Sequence, residues 1–172
     1  MSYKNFQEAL EILSSKNLIL DYFYPQPLNR IIEAEKLLDI SFPKSYKEFL
    51  RQFGSIGFHG EEIYGLNNSY DYSSYVYCNI VCATLEERKV NQDPSFPLYL
   101  IPIHALGNGE LSCLDTSQMN EEGECPVVAW YFGATLPNGK LEILAEDFGA
   151  FLLEKVQWGL KSLEDDGIKV NK

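Results

Sequence analysis

Two histidines, His59 and His104, and four cysteines, Cys78, Cys82, Cys113 and Cys125, are the residues of this 172-residue chain best suited to metal or nucleophilic chemistry. Their spacing argues against both. Neither histidine belongs to a His-Glu-x-x-His pattern, which would set two imidazoles on one helical face. Cys78 and Cys82 lie four apart, so they would share one face of a strand and do not form a Cys-x-x-Cys knuckle; Cys113 and Cys125 supply no second one. Free cysteine in apolar, strand-like sequence packs as a small hydrophobe, so reduced, buried thiols are expected. A nucleophilic serine would need a strained Gly-x-Ser-x-Gly turn, and none occurs. Gly107-Asn108-Gly109-Glu110 begins like a phosphate-binding loop, yet it lacks a third glycine and offers a carboxylate where phosphate needs a cation, so it reads as a hairpin turn. Glu121, Glu122 and Glu124 have no calcium-loop spacing around them. An enzyme would require His104, Glu110 and Asp115 to converge on one pocket. The expectation is no enzyme, no metal and no cofactor.

A different chemistry is written into Asn67-Asn68-Ser69-Tyr70-Asp71-Tyr72-Ser73-Ser74-Tyr75-Val76-Tyr77. Tyrosine brings large contact area at low entropic cost together with a hydroxyl, and serine and asparagine add adaptable polar contacts, which is the composition of a binding surface. The same alternation also suits an ordinary edge strand.

The composition bounds what such a surface can meet. Asp and Glu number 25 against 14 Lys and Arg, a net charge of −11 that repels nucleic acid and anionic lipid and speeds encounter with a basic partner. Apolar residues at 45% and charged residues at 23% are ordinary for a folded domain. A chain of this length buries a substantial core without disulfides or metal, so one domain over residues 1–172 is expected, with its core at about 28–160 and a frayed tail at 167–172. There is no run of about 18 apolar residues and no signal-peptide pattern at the N-terminus, which places the protein in the cytoplasm.

The elements that would carry these residues follow from periodicity. Phe6, Leu10 and Leu13 mark a first helix from about Tyr3 to Lys16, and Pro25 and Pro27 break the chain into a linker. A second helix, about Leu28 to Leu38, sets Leu28, Ile31, Ile32, Glu35 and Leu38 on one side, which makes Glu35 an anomaly. A third opens at Pro43, repeats Tyr46, Phe49, Leu50 and Phe53, and ends at Gly54, which can take positive φ. Strands are expected at Glu62 to Leu66, Cys78 to Ala83, Leu98 to Ile103, Glu110 to Asp115, Val127 to Phe132 and Lys140 to Leu144. Thr84 and Glu87 form a capping box for a short helix reaching about Gln92. Turns at Gly107-Asn108-Gly109 and Pro137-Asn138-Gly139 make the sheet mainly antiparallel. Asp147 starts a long C-terminal helix with Phe148, Phe151, Leu152 and Val156 against the sheet. The fold class is α+β, a mainly antiparallel sheet flanked by N-terminal helices and a long C-terminal helix.

Phe42-Pro43-Lys44-Ser45-Tyr46-Lys47-Glu48-Phe49-Leu50, Glu62-Ile63-Tyr64-Gly65-Leu66, Leu100-Ile101-Pro102-Ile103, Gly107 to Asp115 and Phe148-Gly149-Ala150-Phe151-Leu152 together resemble the SUKH superfamily, the group of the yeast cell-wall glucan-synthesis regulators and many bacterial toxin-immunity proteins. The resemblance implies a protein that binds a cognate, basic nuclease-type toxin domain and blocks its active site; the alternative is a non-enzymatic regulatory scaffold with several weak partners. In the first reading Tyr70, Tyr72 and Tyr75 anchor the toxin, and Asp71, Glu61, Glu62, Glu121, Glu122 and Glu124 complement its positive surface, with no direct contact to nucleic acid or membrane. Glu35, Pro43, Tyr46, Phe49, Gly54, Gly65 and Asp115 are read as structural, Glu35 as bonding backbone amides near the Gly54 turn. The tyrosine segment matches nothing common to the family, which suits a role in specificity.

Overall fold

The computed structural model describes residues 2–15, 18, 21–22, 24–67, 79–90, 96–131 and 141–167. Among these, five α-helices and two antiparallel sheets form the α+β architecture expected from the periodicity. The helices are α1 (Ser2–Ser15), α2 (Leu28–Leu38), α3 (Lys44–Phe53), α4 (Ile80–Val90) and α5 (Phe148–Asp165). Strands β1 (Asp21–Tyr22), β2 (Ile56–Phe58) and β3 (Glu61–Ile63) make a small sheet. Strands β4 (Leu100–Ala105), β5 (Glu110–Asp115), β6 (Val127–Tyr131) and β7 (Ile143–Ala145) make the larger one, each paired to the next. One hydrogen bond, from Tyr64 N to Ile103 O at 2.8 Å, ties the chain just after β3 to β4.

The core sits where α1, α3 and α5 meet one face of the larger sheet. Pro43 presets the entry to α3 with φ −58°, and Tyr46, Phe49 and Leu50 on its inner side are fully buried. Tyr46 meets the Phe148 ring edge-on at 4.9 Å, and its hydroxyl donates to Tyr64 O at 2.6 Å. Phe148 is the first residue of α5, whose N-cap Asp147 accepts a hydrogen bond from Ala150 N at 2.8 Å. α1 lies along α5, with Phe6, Ala9 and Leu13 turned inward. The opposite face of the sheet carries a second, smaller cluster of Phe96, Leu100, Cys113, Val128 and Trp130.

Several elements differ from the periodic reading. Within the run expected as a strand from Cys78 to Ala83, residues Ile80 to Ala83 instead form the first turn of α4, because Ile80, Val81 and Cys82 are apolar through burial and a short buried run does not reveal its period. Its N-cap is Asn79, whose Oδ1 accepts from Val81 N and Cys82 N; Thr84 lies inside the helix and donates to Ile80 O. β1 lies just before the prolines' linker, and β2 precedes the expected strand as half of a hairpin that turns at His59 (φ 37°) and Gly60 (φ 82°). In α2 the buried residues are Arg30, Ile31, Ala34 and Leu38, whereas Leu28 and Ile32 are exposed. The Pro137-Asn138-Gly139 turn and Cys78 lie outside the described residues, although β6 and β7 pair antiparallel as that turn requires.

Candidate partner-binding surface

Tyr70, Asp71, Tyr72 and Tyr75 fall outside the described residues, but Asn67 and Asn79, which flank segment 68–78, are described. Asn67 and Asn79 are buried, and Asn79 Nδ2 donates to Asn67 Oδ1 at 3.0 Å. Gly65 bridges to Asn79, and Ile80 N donates to Gly65 O. Arg30 adds a bond from Nη2 to Asn67 O at 3.3 Å while its Nη1 pairs with Glu33 at 3.0 Å. A guanidinium 2% exposed must have such partners, since burying an unpaired charge is costly. The described residues on either side of segment 68–78 therefore meet in one polar knot. Apolar spacing on α2 gave no sign of Arg30's part in it.

A second feature surrounds Glu61, beside the hairpin turn. A bulge in β4 creates it: Pro102 faces Cys113 and His104 faces Ser112, so Ile103 is an extra residue that turns His104 onto the α5 side of the sheet. Strict alternation from Ile101 and Ile103 would place it on the other face. His104, 4% exposed, contacts Glu61 Oε2 at 2.5 Å through Nε2 and Ser112 Oγ at 3.4 Å through Nδ1. Lys155 Nζ lies 3.6 Å from the same Oε2. Burial works to raise the Glu61 pKa, but the bonds and positive charges of His104 and Lys155 outweigh it and hold the carboxyl below its usual range. These groups floor a cleft of about 400 Å³ between the hairpin turn, the end of β4 and α5, with Trp158 and Leu106 exposed at its rim.

Ser112, His104 and Glu61 have the residue types of a hydrolytic triad, but Ser112 is fully buried and a substrate has no path to its hydroxyl. The trio of His104, Glu110 and Asp115 that an enzyme would require does not assemble. Asp115 pairs with Leu100 at the far end of the hairpin, where its carboxylate accepts from Ser117 and Gln118. Cys113 and Cys125 are buried, with the Cys125 thiol pushed up to about 12, chiefly by desolvation, which suppresses thiolate. Among the described residues no group of three or more His, Cys, Asp or Glu is placed to hold a metal, and no helix is long and apolar enough to cross a membrane.

The acidic residues do not form one patch. Glu121 and Glu122 are exposed in the turn before Gly123, near the start of α3, whereas Glu61 and Glu62 lie on β3, with Glu61 against His104 and Lys155. Glu124 is buried, and its two oxygens accept from Ser45 N at 2.9 Å and Ser45 Oγ at 2.6 Å, which caps the first turn of α3 from a distant loop. Desolvation raises its pKa, with Asp147 adding to the effect against the Ser45 bonds.

A family model described as SMI1-KNR4 cell-wall, SUKH_5, matches residues 8–158. The chain belongs to the SUKH superfamily. A crystal structure of a protein from Pseudomonas syringae pv. tomato matches this SUKH fold with a TM-score of 0.54, covering 86% of this chain and 98% of that one at 20% identity. No curated protein matches the chain.

The SUKH landmarks occupy tight places in the fold. A Cβ on Gly65 would lie 1.7 Å from Gly54 O, which accepts from Leu66 N at 3.0 Å, and Gly54 itself has φ 76°. Glu35 accepts from Phe42 N at 2.8 Å and pairs with Lys47 Nζ at 2.8 Å. The amide it serves therefore belongs to the α2–α3 connection, not to the Gly54 turn.

Proposed function

We propose that this SUKH protein is an immunity protein, which binds a cognate, basic nuclease-type toxin domain and blocks its active site without performing a reaction. The SUKH match over residues 8–158 carries the reading. The net charge of −11 supports it, since a groove built for phosphates is basic and an acidic protein occupies it by complementarity. Tyr70, Tyr72 and Tyr75 anchor the partner and Asp71 adds charge, on a segment whose ends the Asn67–Asn79 pair fixes. Glu62 and the cleft beside Glu61 extend the surface from β3, and Glu121 and Glu122 meet a second basic patch or none. Glu124 contributes through the order of α3. The site of action is the cytoplasm.

Co-purification with the toxin domain encoded beside this protein tests the reading. One stoichiometric partner is expected. The cell-wall description of the matching family favours a second reading, a regulatory scaffold, which would instead retain many substoichiometric partners at moderate salt.

A further inference from the structure

The cleft beside Glu61 has its donors engaged and its acceptors open. His104 Nε2 and Lys155 Nζ both converge on one atom, Glu61 Oε2, and the Lys155 ammonium also lies 5.6 Å from the centre of the Phe151 ring. Neither contact uses Glu61 Oε1. Glu154, one turn before Trp158 on the exposed side of α5, also lines the cleft, and among the described residues its carboxylate has no ion pair. The Trp158 indole is 54% exposed, unlike Trp130, which is packed in the smaller cluster. A large exposed aromatic beside two open carboxylate sites suits a planar cation with an apolar stem.

We infer that this cleft receives an arginine side chain of the protein partner, its guanidinium stacked on Trp158 and bridging Glu154 and Glu61 Oε1, its stem against Leu106. The inference rests on the partner-binding reading above and adds a second anchor, separate from the tyrosine segment. Arginine fits better than lysine because its planar fork reaches two carboxylates while its face covers the indole. An anion is disfavoured, since it would have to draw Lys155 and His104 away from Glu61 and approach Glu154.

The test uses the full chain and N-acetyl-arginine methylamide as the probe, followed by the two indole N–H signals and the backbone amides in NMR. Saturable shifts are expected at the Trp158 indole and at the amides of Gly60 and Leu106, with the Trp130 indole unmoved. Glu154→Gln and Trp158→Ala, both at exposed positions, should each weaken the probe about five- to tenfold, in line with a cation–π contact or charge-assisted bond of modest size. No saturable shift overturns the inference. So does an equal response to N-acetyl-norleucine methylamide, which would mark an apolar groove, or a stronger one to N-acetyl-glutamate methylamide, which would mark an anion site. The probe experiment contains no partner protein. A silent cleft in a chain that still co-purifies a toxin domain defeats only this inference, and a responsive cleft in a chain with no toxin partner defeats only the immunity reading.

Discussion

Asn79 Nδ2 donates to Asn67 Oδ1 at 3.0 Å, so the two buried residues that flank segment 68–78 hold each other directly. Asn79 simultaneously caps α4 through Oδ1, which couples the position of the segment to the start of a helix. Asn79→Ala removes a cap from the α4 amides and the donor that Asn67 Oδ1 accepts from. The expected cost is about 2 to 3 kcal/mol, read by urea unfolding. Partner affinity should fall even where the variant is fully folded, because the tyrosines lose a fixed base.

Gly65→Ala is expected to be far more damaging than its size suggests. The new Cβ would lie 1.7 Å from Gly54 O, a backbone atom in a turn with positive φ, and neither chain can yield without breaking the Leu66–Gly54 bond. A loss of more than about 4 kcal/mol follows, visible as insoluble protein or a collapsed melting temperature. Gly107→Ala, in open space at φ 80°, should cost about 1 kcal/mol.

Much of this was readable in the chain. The α3 stripe of Tyr46, Phe49 and Leu50, the Asp147 cap and the β4–β5 turn with positive φ at Gly107 and Gly109 are local signals with one physical solution each. The features that shape the candidate surface were hidden for a common reason. The β4 bulge that turns His104, the capture of Arg30 by Asn67 and the capping of α3 by Glu124, 79 residues away from Ser45, are tertiary relations that no periodicity encodes. The helix from Thr84 is legible, but the first turn of α4 is not, because four apolar residues in a row suit a buried strand and a buried helix equally.

Glu35→Ala should destabilise the fold by about 1.5 to 3 kcal/mol, the range for a charge-assisted bond to a largely buried amide, here Phe42 N. Urea unfolding gives the loss. Binding of the partner by the folded fraction should be unchanged, since Glu35 supports the α2–α3 connection.

Two carboxyls should tilt the stability–pH curve in opposite directions. Glu61 is depressed in the folded state, so its contribution is present above the ordinary glutamate pKa of 4.5 and is lost as pH falls through the lower folded value. Glu124 is raised, so the folded state binds its proton more tightly than the unfolded chain, and stability falls as pH rises from 4.5 through the higher folded value. Urea midpoints measured from pH 3.5 to 7 should therefore show a shallower acid-side loss for Glu61→Gln than for the parent protein. For Glu124→Gln the decline above pH 4.5 should be reduced.

Occlusion without chemistry makes a direct demand on a titration of the neighbouring toxin domain's nuclease activity with this protein at concentrations well above the dissociation constant. Inhibition should be linear, reach completion at one protein per toxin, and set in more slowly as salt is raised, because charge steering speeds the encounter. Complete inactivation by a small fraction of an equivalent, or full nuclease activity in the presence of excess protein, would contradict the account.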